Sequence, residues 1–385
     1  MSQAEALPDP ASAPTGFRAS ADINPLNEIA VETEGKVLAV SRATRRRLTR
    51  HGQSELARLR DSRRSDICVI AGNGPGLNRV NWSELRDADL IAANYARLHP
   101  ELAERATILS VTNPWVISQQ PEAFHRQAGQ RVAMPYYLAY WLPEAQWDIT
   151  LDCHNGFEPA AALNDPISTR STVSYFNLQL AFLLGYRRVV LIGFDHSYQQ
   201  PTNAAEGEVL TEGEEDPNHF SPGYFAGKRW QAADTTRMEL AYAYAQRCYR
   251  LDGREIVNSS DPTQLTLFPR VPLADTMADV PNPTEPTEAP TLGRRCADLI
   301  DRVRTESNAT VLLAALLIGL PLAAALSTIN GLWALAGGLS ASIGVLLINA
   351  SVNVRRRQTA DELIELFASI HRAEGPAQNI GQDDP

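Results

Sequence analysis

The chain reads ICVIAGNGPG at residues 67–76. Its first five residues form an apolar run with the length of a strand buried on both faces, as in parallel sheets. The glycines that follow let the main chain turn sharply and come close to a ligand. This stretch therefore predicts the first core strand of an α/β domain, with a ligand-binding loop at its carboxyl end.

Short apolar runs recur further along the chain and alternate with segments of helical periodicity. The predicted strands are residues 90–93, 107–111, 189–193 and 254–258, and the clearest predicted helices are 173–184 and 234–251. Strands separated by helices indicate a mostly parallel sheet, because each crossover returns over a face of the sheet. The predicted fold class is α/β, a Rossmann-like, mostly parallel sheet with helices on both faces.

Composition restricts the function. The chain has 385 residues, 44% of them hydrophobic, and a formal net charge of −10. An acidic chain is a poor match for phosphate backbones, so no nucleic-acid partner is predicted. Four distant cysteines predict neither a metal site nor disulfides, which fits a reducing compartment, and the first thirty residues hold no apolar run typical of a cleaved export leader. The cysteines are Cys68, Cys153, Cys248 and Cys296.

The predicted Rossmann-like domain, residues 65–273, is flanked by segments of different composition. Residues 1–35, rich in Ala, Pro, Ser and acidic side chains, predict a disordered tail. Residues 36–64 combine many arginines with leucines at helical spacing, which predicts a basic helical segment that faces solvent or anionic lipid headgroups. Residues 274–292, rich in Pro, Thr and Glu, predict an extended linker.

Two long apolar stretches predict a membrane anchor. Residues 310–329 and 332–350 contain no charged side chain, and each is long enough to cross a hydrocarbon core of about 30 Å. We interpret residues 293–357 as a transmembrane helical hairpin and 358–385 as an amphipathic tail; the alternative is a buried helix pair in a soluble fold. Arginines on both sides of the hairpin predict an inner-membrane protein with its catalytic domain facing the cytoplasm, and hence a lipid bilayer as a partner.

Candidate binding residues lie where predicted strands end. Main-chain amides in the loop 72–76 can face phosphate oxygens, although the loop is neither a GxGxxG fingerprint nor a P-loop and a purely structural turn is the alternative. Asp195 and Tyr198 follow the strand 189–193, at the sheet edge where α/β proteins bind ligands. We expect Asp195 to orient His196, to bind a metal or to cap the turn.

A second group of candidates follows an acidic stretch, residues 206–216, which we interpret as a mobile loop or lid. His219 is the candidate general base, because an imidazole titrates near neutrality. Lys228 and Arg229 suit the neutralisation of phosphate, or else are solvated surface charges. Three aromatic residues are predicted to stack on a base or sugar or to pack in the core: Tyr224, Phe225 and Trp230.

Four segments between residues 69 and 198 occur in the same order as in known protein families. They are VIAGNGPGLNRVNWSEL, Ala93-Asn94, Ser171-Thr172-Val173-Ser174 and LLGYRRVVLIGFDHSY. In these segments, residues 66–271 resemble the bacterial sialyltransferases that use CMP-activated sugars and the related MptE-like 6-hydroxymethylpterin diphosphokinase family.

The resemblance implies nucleotide-binding and donor-binding residues, and it implies that Tyr198 hydrogen-bonds a departing phosphate. The implied nucleotide-binding residues are Gly72, Asn73, Gly74, Pro75, Gly76 and Asn94, and those that contact the donor sugar or phosphate are Ser171 and Thr172. Two positions depart from the sialyltransferase pattern: Gly76 replaces its usual serine, and Arg229 stands where its basic histidine would fall.

Three functions remain open. The first is an inverting glycosyltransferase, which takes a nucleotide-sugar donor of the CMP type and a glycan or other small acceptor and needs no cofactor. The second is a diphosphokinase that uses ATP and magnesium. The third is a nucleotide-binding membrane protein without catalysis.

Overall fold

A computed structural model gives the fold, and it describes residues 14–277 apart from 20, 21, 23, 34, 35, 86, 87, 202–207, 212 and 214. All described residues belong to the first of two compact units into which the chain divides, residues 1–289. The strands in this part of the chain are β1 (Phe17–Ala19), β2 (Glu28–Thr33), β3 (Lys36–Ser41), β4 (Ile67–Ala71), β5 (Asp89–Ala93), β6 (Ile108–Ser110), β7 (Arg131–Pro135), β8 (Ile149–Leu151), β9 (Cys153–His154), β10 (Ile167–Ser168), β11 (Arg188–Ile192), β12 (Val209–Thr211), β13 (Arg229–Gln231) and β14 (Glu255–Asn258). The α-helices are α1 (Arg42–Asp61), α2 (Pro100–Arg105), α3 (Pro114–Gln119), α4 (Val173–Leu183), α5 (Thr235–Leu251) and α6 (Leu273–Met277).

The centre of the domain is a parallel sheet of seven strands. Its order is β14-β11-β4-β5-β6-β7-β8, and every neighbouring pair is parallel. The chain adds strands on one side of β4 as far as β8 and then returns to place β11 on the other side. The order therefore reverses between β4 and β11, and loops diverge from this point to leave a crevice at the carboxyl ends of the strands.

The central strands are apolar because both of their faces are covered. All five residues of β4 and of β5 are buried, and α4 packs against both strands. Helix α4 begins at a threonine cap, where the Thr172 hydroxyl accepts a hydrogen bond from the Ser174 amide. It ends before Gly185, whose φ of +87° is a conformation that favours glycine. The predicted parallel α/β sheet thus agrees with the structure.

The N-terminal region is structured, in contrast to the predicted tail. Strands β1, β3 and β2 form an antiparallel sheet with β3 in the middle. Val40 of β3 pairs with Phe17 on one side and Ile29 on the other, and Phe17 and Val40 are buried. Strand β1, with three residues, carries little periodic signal, and the arginine-rich segment that follows β3 led to a helical interpretation of β3 itself.

The predicted basic helical segment 36–64 is a strand followed by a helix. Ser41 caps α1 by accepting a hydrogen bond from the Thr44 amide. The buried face of α1 is narrow and contains residues spaced four apart, Thr44, Leu48, Gly52 and Leu56. This face packs against β8, so the arginine-rich helix is an integral part of the domain.

The predicted fold class is wrong in including a transmembrane hairpin. Among the helices that the structure describes, none combines the length and apolar character needed to cross a membrane. The stretches that suggested the hairpin, 310–329 and 332–350, lie outside the described residues, as does the tail 358–385. The prediction rested on hydropathy and length, and neither quantity establishes where an apolar stretch packs. The predicted linker 274–292 begins within α6, and its remainder from 278 onward is also outside.

Gly52 provides a test of how closely α1 packs against β8. A Cβ atom at this position would lie 2.1 Å from the carbonyl oxygen of Thr150 in β8. Alanine normally stabilises a helix interior by about 1 kcal/mol relative to glycine. We predict the opposite for Gly52→Ala, a loss of about 1–3 kcal/mol, because the helix must move away from the sheet. Chemical denaturation of the full chain measures it.

Gly213→Ala is the matched control, because a Cβ there meets nothing within 4 Å. Its unfolding midpoint should stay close to that of the unmodified protein. An equal or higher midpoint for Gly52→Ala would show that α1 does not rest on β8 through this glycine.

Candidate functional site

A cleft of about 860 Å³ opens at the carboxyl ends of the central strands. It is lined by the loops that follow β4, β5, β6 and β11, by the start of α4, and by residues between 218 and 242, and it reaches residues 30–31 and 136–137. This is the crevice that the reversal of strand order between β4 and β11 creates.

The glycine loop after β4 is bonded to the loop after β11. The amides of Gly72 and Gly74 donate to main-chain carbonyls there at 2.8 and 3.1 Å, and the amide of Gly76 donates to the Asp195 carboxylate at 2.7 Å. Gly72, Gly74 and Asn73 line the cleft. The three glycine amides, which were expected to cradle a phosphate, thus have acceptors within the protein.

Asp195 explains why this loop needs small residues. A Cβ on Gly74 or on Gly76 would lie 2.6 Å from Oδ1 of Asp195. A serine at position 76, usual in the sialyltransferases that this region resembles, has no room unless the carboxylate moves. Burial raises the pKa of Asp195, and the bond from Gly76 and the nearby charge of Arg79 offset this only in part.

Three residues of the cleft have strained main-chain conformations. Asn94 after β5, Ser171 before α4 and His196 after β11 have φ values of 57°, 72° and 54°, and all three line the cleft. A non-glycine residue with such a positive φ destabilises the fold by about 1–3 kcal/mol. It persists where the surrounding structure holds it, typically at a functional site.

Unsatisfied polar atoms cluster at the same place. Oδ1 of Asn73, Oδ1 of Asn94 and Oγ of Ser171 are buried without a hydrogen-bond partner in the structure. The other end of the Asn73 amide donates to the Ala93 carbonyl at 3.3 Å, and the Asn94 side chain hydrogen-bonds with Tyr224. Buried polar atoms are nearly always paired in folded proteins, so a set of unpaired ones beside a cleft indicates ligand contacts.

His219 forms a hydrogen-bonded pair with a buried carboxylate. Its Nδ1 lies 2.7 Å from Oδ2 of Asp216, and its ring stacks on Tyr224 at a centroid distance of 4.1 Å. Asp216 also accepts hydrogen bonds from the amides of Asn218 and Phe225. Burial raises the pKa of Asp216, but the bonds from His219 and the two amides outweigh burial, and the pKa lies below its usual value.

The pair fixes which nitrogen of His219 is basic. An ionised carboxylate only accepts hydrogen bonds, so the proton of the neutral imidazole is on Nδ1. The lone pair is then on Nε2. Because His219 lines the cleft, it has the tautomer and orientation of a general base held by a carboxylate.

Tyr198 lines the cleft, and its hydroxyl donates to the sulfur of Met238 at 3.6 Å. The residue is 37% exposed, and its hydroxyl lies against α5. Desolvation, with a smaller effect of the Asp195 charge, raises the pKa of Tyr198 to about 12. The hydroxyl therefore keeps its proton at neutral pH and is a hydrogen-bond donor.

The two cations predicted to bind phosphate lie elsewhere. Neither Lys228 nor Arg229 is among the residues that line the cleft. The Lys228 ammonium donates to the Tyr224 carbonyl at 3.4 Å, and the Arg229 guanidinium lies 3.8 Å from the ring centroid of Trp115. Both charges are held by aromatic neighbours and main chain. Their closeness in sequence to His219 did not predict these contacts. Pro75 and Gly76 are also outside the lining residues.

Several residues in or next to the cleft were missed by the sequence analysis. Arg170 and Arg237 are cations in its wall. Asp216 and Glu239 are not among the lining residues, but each bonds a histidine that is. The spacing of Asp216 and His219, three residues apart, was the available signal for one pair. Of the predicted aromatic residues, Phe225 and Trp230 line the cleft and Tyr224 lies buried behind them.

No family model matches the chain, and no curated protein matches it. A solved structure that is similar is the monofunctional alpha-2,3-sialyltransferase Cst-I from Campylobacter jejuni, at 14% identity and a TM-score of 0.36. The similar region covers 64% of this chain and 96% of that chain. The likeness concerns the fold, and at this TM-score it carries no argument about function.

The opposite pKa shifts of Asp216 and Asp195 give a paired prediction on stability. The pKa of Asp216 is lowered on folding, so its charge stabilises the fold above the unfolded pKa of about 3.9, and this contribution is lost as pH falls through the folded pKa. Asp216→Asn should therefore lower the free energy of unfolding at pH 7 by about 1–3 kcal/mol. The deficit should shrink below about pH 4.

Asp195→Asn should behave differently. The pKa of Asp195 is raised on folding, so the fold loses stability as pH rises from the unfolded towards the folded value. An uncharged asparagine avoids this loss and still accepts the bond from Gly76, so this variant should be at least as stable as the unmodified protein at pH 7. Urea denaturation of both variants at pH 7 and pH 4 measures the contrast, and equal losses at pH 7 would contradict it.

Proposed function

We propose that the protein is a glycosyltransferase that moves a sugar from a CMP-type donor to a glycan or other small acceptor, with His219 as the general base. The observation that carries the proposal is the bond between His219 and Asp216. It leaves Nε2 as the basic nitrogen of a residue that lines the cleft. Single displacement at a sugar carbon needs one such base to remove the proton of the attacking hydroxyl.

The start of α4 supports the binding of a negatively charged donor. Arg170 lines the cleft, and its Nε is buried without a hydrogen-bond partner. The Phe157 ring, 5.0 Å from the guanidinium, and the Asn155 carbonyl hold the side chain. Ser171, with an unpaired hydroxyl oxygen, follows directly. A guanidinium beside a helix N-terminus suits a phosphate group, because both present N–H donors and positive charge.

Asn73, Asn94 and Tyr198 suit the base, the ribose and the departing phosphate of a nucleotide donor. Unpaired amide oxygens on Asn73 and Asn94 can accept hydrogen bonds from the exocyclic amine of a base or from ribose hydroxyls. Tyr198, protonated at neutral pH, can donate to an oxygen of the departing phosphate. Catalysis in this proposal comes from positioning and from stabilisation of the leaving group, so no cofactor is invoked.

The nucleotide prediction compares CMP with cytidine. In a thermal-shift assay on the full chain, CMP should stabilise the protein, by about 2.7 kcal/mol at a concentration one hundred times its Kd. Cytidine should stabilise it less, because it lacks the phosphate. In Arg170→Gln the two ligands should give equal shifts, while Arg229→Gln should keep the difference because Arg229 lies outside the cleft.

Other ligands in the same assay decide between functions. Assays with UDP, GDP and ATP, each with and without magnesium, complete the series. Stabilisation by ATP that requires magnesium, with none by CMP, would replace the proposal with the diphosphokinase. Nucleotide binding without any release of CMP from a donor would favour a non-catalytic role.

The catalytic prediction concerns release of CMP from CMP-N-acetylneuraminic acid, which reports transfer to water as well as to a sugar. His219→Asn should reduce kcat by about 10²–10⁴-fold, the usual contribution of a general base. Asp216→Asn should also reduce kcat, because the base loses its orientation. His125→Asn is the matched control, since His125 is exposed and lies outside the cleft. Full activity of His219→Asn with unchanged nucleotide binding would refute this role.

A further inference from the structure

A second histidine of the cleft is bonded to a carboxylate. His196 follows the end of β11, its side chain is only 6% exposed, and its Nε2 lies 3.2 Å from Oε1 of Glu239 on α5. It also lines the cleft, and its φ is 54°. A histidine held in a strained conformation, buried and paired with a carboxylate at a ligand cleft has the features of a functional group.

Its neighbours connect this pair to the start of α4. The His196 ring packs against the rings of Tyr198 and Tyr242, at centroid distances of 6.0 and 6.3 Å. The Tyr242 hydroxyl hydrogen-bonds with the hydroxyls of Thr172 and Ser174. Tyr242 thus contacts both His196 and the start of α4, and His196 lines the same cleft as Arg170 and Ser171, which provide for a phosphate.

The groups that face His196 come from α5 and from its own loop. Glu239 and Tyr242 face it from α5, and Tyr198 and Asp195 belong to its own loop. The remaining charged pair at this end of the cleft, Asp234 and Arg237, lies at an ion-pair distance of 3.1 Å and neutralises itself. Glu239 therefore acts on His196 as an acceptor and as a counter-ion.

We propose that His196, held by Glu239, donates a proton to the phosphate that leaves the sugar. This role rests on the proposed glycosyl transfer and assigns the second half of its proton movement. With Nε2 bound to Glu239, the proton comes from Nδ1. Tyr198 stabilises the same phosphate only by hydrogen bonding, because its raised pKa keeps its proton in place.

The step balances. The bond between the anomeric carbon and the phosphate oxygen breaks, its electron pair passes to that oxygen, and the oxygen takes the proton of His196. The acceptor hydroxyl forms the new bond to the anomeric carbon, and its proton passes to Nε2 of His219. One histidine has then lost a proton and the other has gained one, and exchange with solvent restores both.

The two histidines should control opposite sides of the pH profile. For release of CMP from CMP-N-acetylneuraminic acid, kcat should fall on the acidic side, because a protonated imidazole cannot act as the base, and on the alkaline side, because a neutral imidazole is a poor acid. His196→Asn should lower kcat near neutral pH by about 10²-fold or more and abolish the alkaline fall, with the acidic limb retained. Asparagine suits the test because it tolerates positive φ and carries no transferable proton at these pH values.

Glu239→Gln is the second variant, because it leaves the histidine in place. The amide accepts a hydrogen bond but stabilises an imidazolium less than a carboxylate does. The alkaline limb should move to lower pH, with little change in KM for the donor. Glu101→Gln and His125→Asn are matched controls, since both residues lie outside the cleft, and both should keep the profile of the unmodified protein.

The outcomes separate this inference from the proposed function. If the unmodified protein releases CMP but the alkaline limb is unchanged in His196→Asn and Glu239→Gln, His196 is a structural residue and the inference is overturned. If His196→Asn does not fold, as judged by its thermal transition, the shift in Glu239→Gln decides alone. If the unmodified protein neither binds CMP nor releases it from the donor, the proposed function itself fails, and the inference with it.

Discussion

The Asp195 carboxylate joins the two loops between which the cleft opens. It accepts the amide of Gly76 at 2.7 Å and lies against the Cα atoms of Gly74 and Gly76, where no side chain fits. Two main-chain hydrogen bonds, from Gly72 and Gly74, tie the same loops together. Because β4 and β11 lie on the two sides of the reversal in strand order, these contacts set the width of the crevice. The position of His196, the residue after Asp195, follows from them.

The sequence predicts the centre of the fold better than its edges. Strands β4, β5 and β11 are found within one residue of their predicted ends, because each is a continuous apolar run buried by neighbours on both sides. Strand β8 has three residues, too few for any period, and exists because β7 and α1 pack against it. In the N-terminal sheet, β1 is as short as β8, whereas β2 and β3 have six residues each and were missed because composition suggested a tail and a helix.

The site residues were predicted from the sequence better than their partners were. The resemblance pointed to Asn73, Asn94 and Ser171, a strand end to Tyr198, and imidazole chemistry to His219; all five line the cleft. The partners that give these groups their chemistry come from contacts that sequence reasoning does not reach, such as Glu239, which lies 43 positions from His196. Proximity in sequence was misleading for Arg229, because the ring of Trp115, distant along the chain, holds its guanidinium outside the cleft.

The same carboxylate explains where a phosphate can bind. In many α/β proteins the first glycine-rich turn supplies amides to a phosphate, but here those amides already donate to Asp195 and to two carbonyls. A second anion beside Asp195 would also meet a negative charge or require its neutralisation. The opposite end of the cleft has the complementary character, with the unpaired Nε of Arg170 and the unpaired hydroxyl oxygen of Ser171 at the start of α4. The strain at Ser171 and the unsatisfied donor on Arg170 are thus explained together if the anionic part of a ligand binds there and its neutral part contacts Asn73 and Asn94.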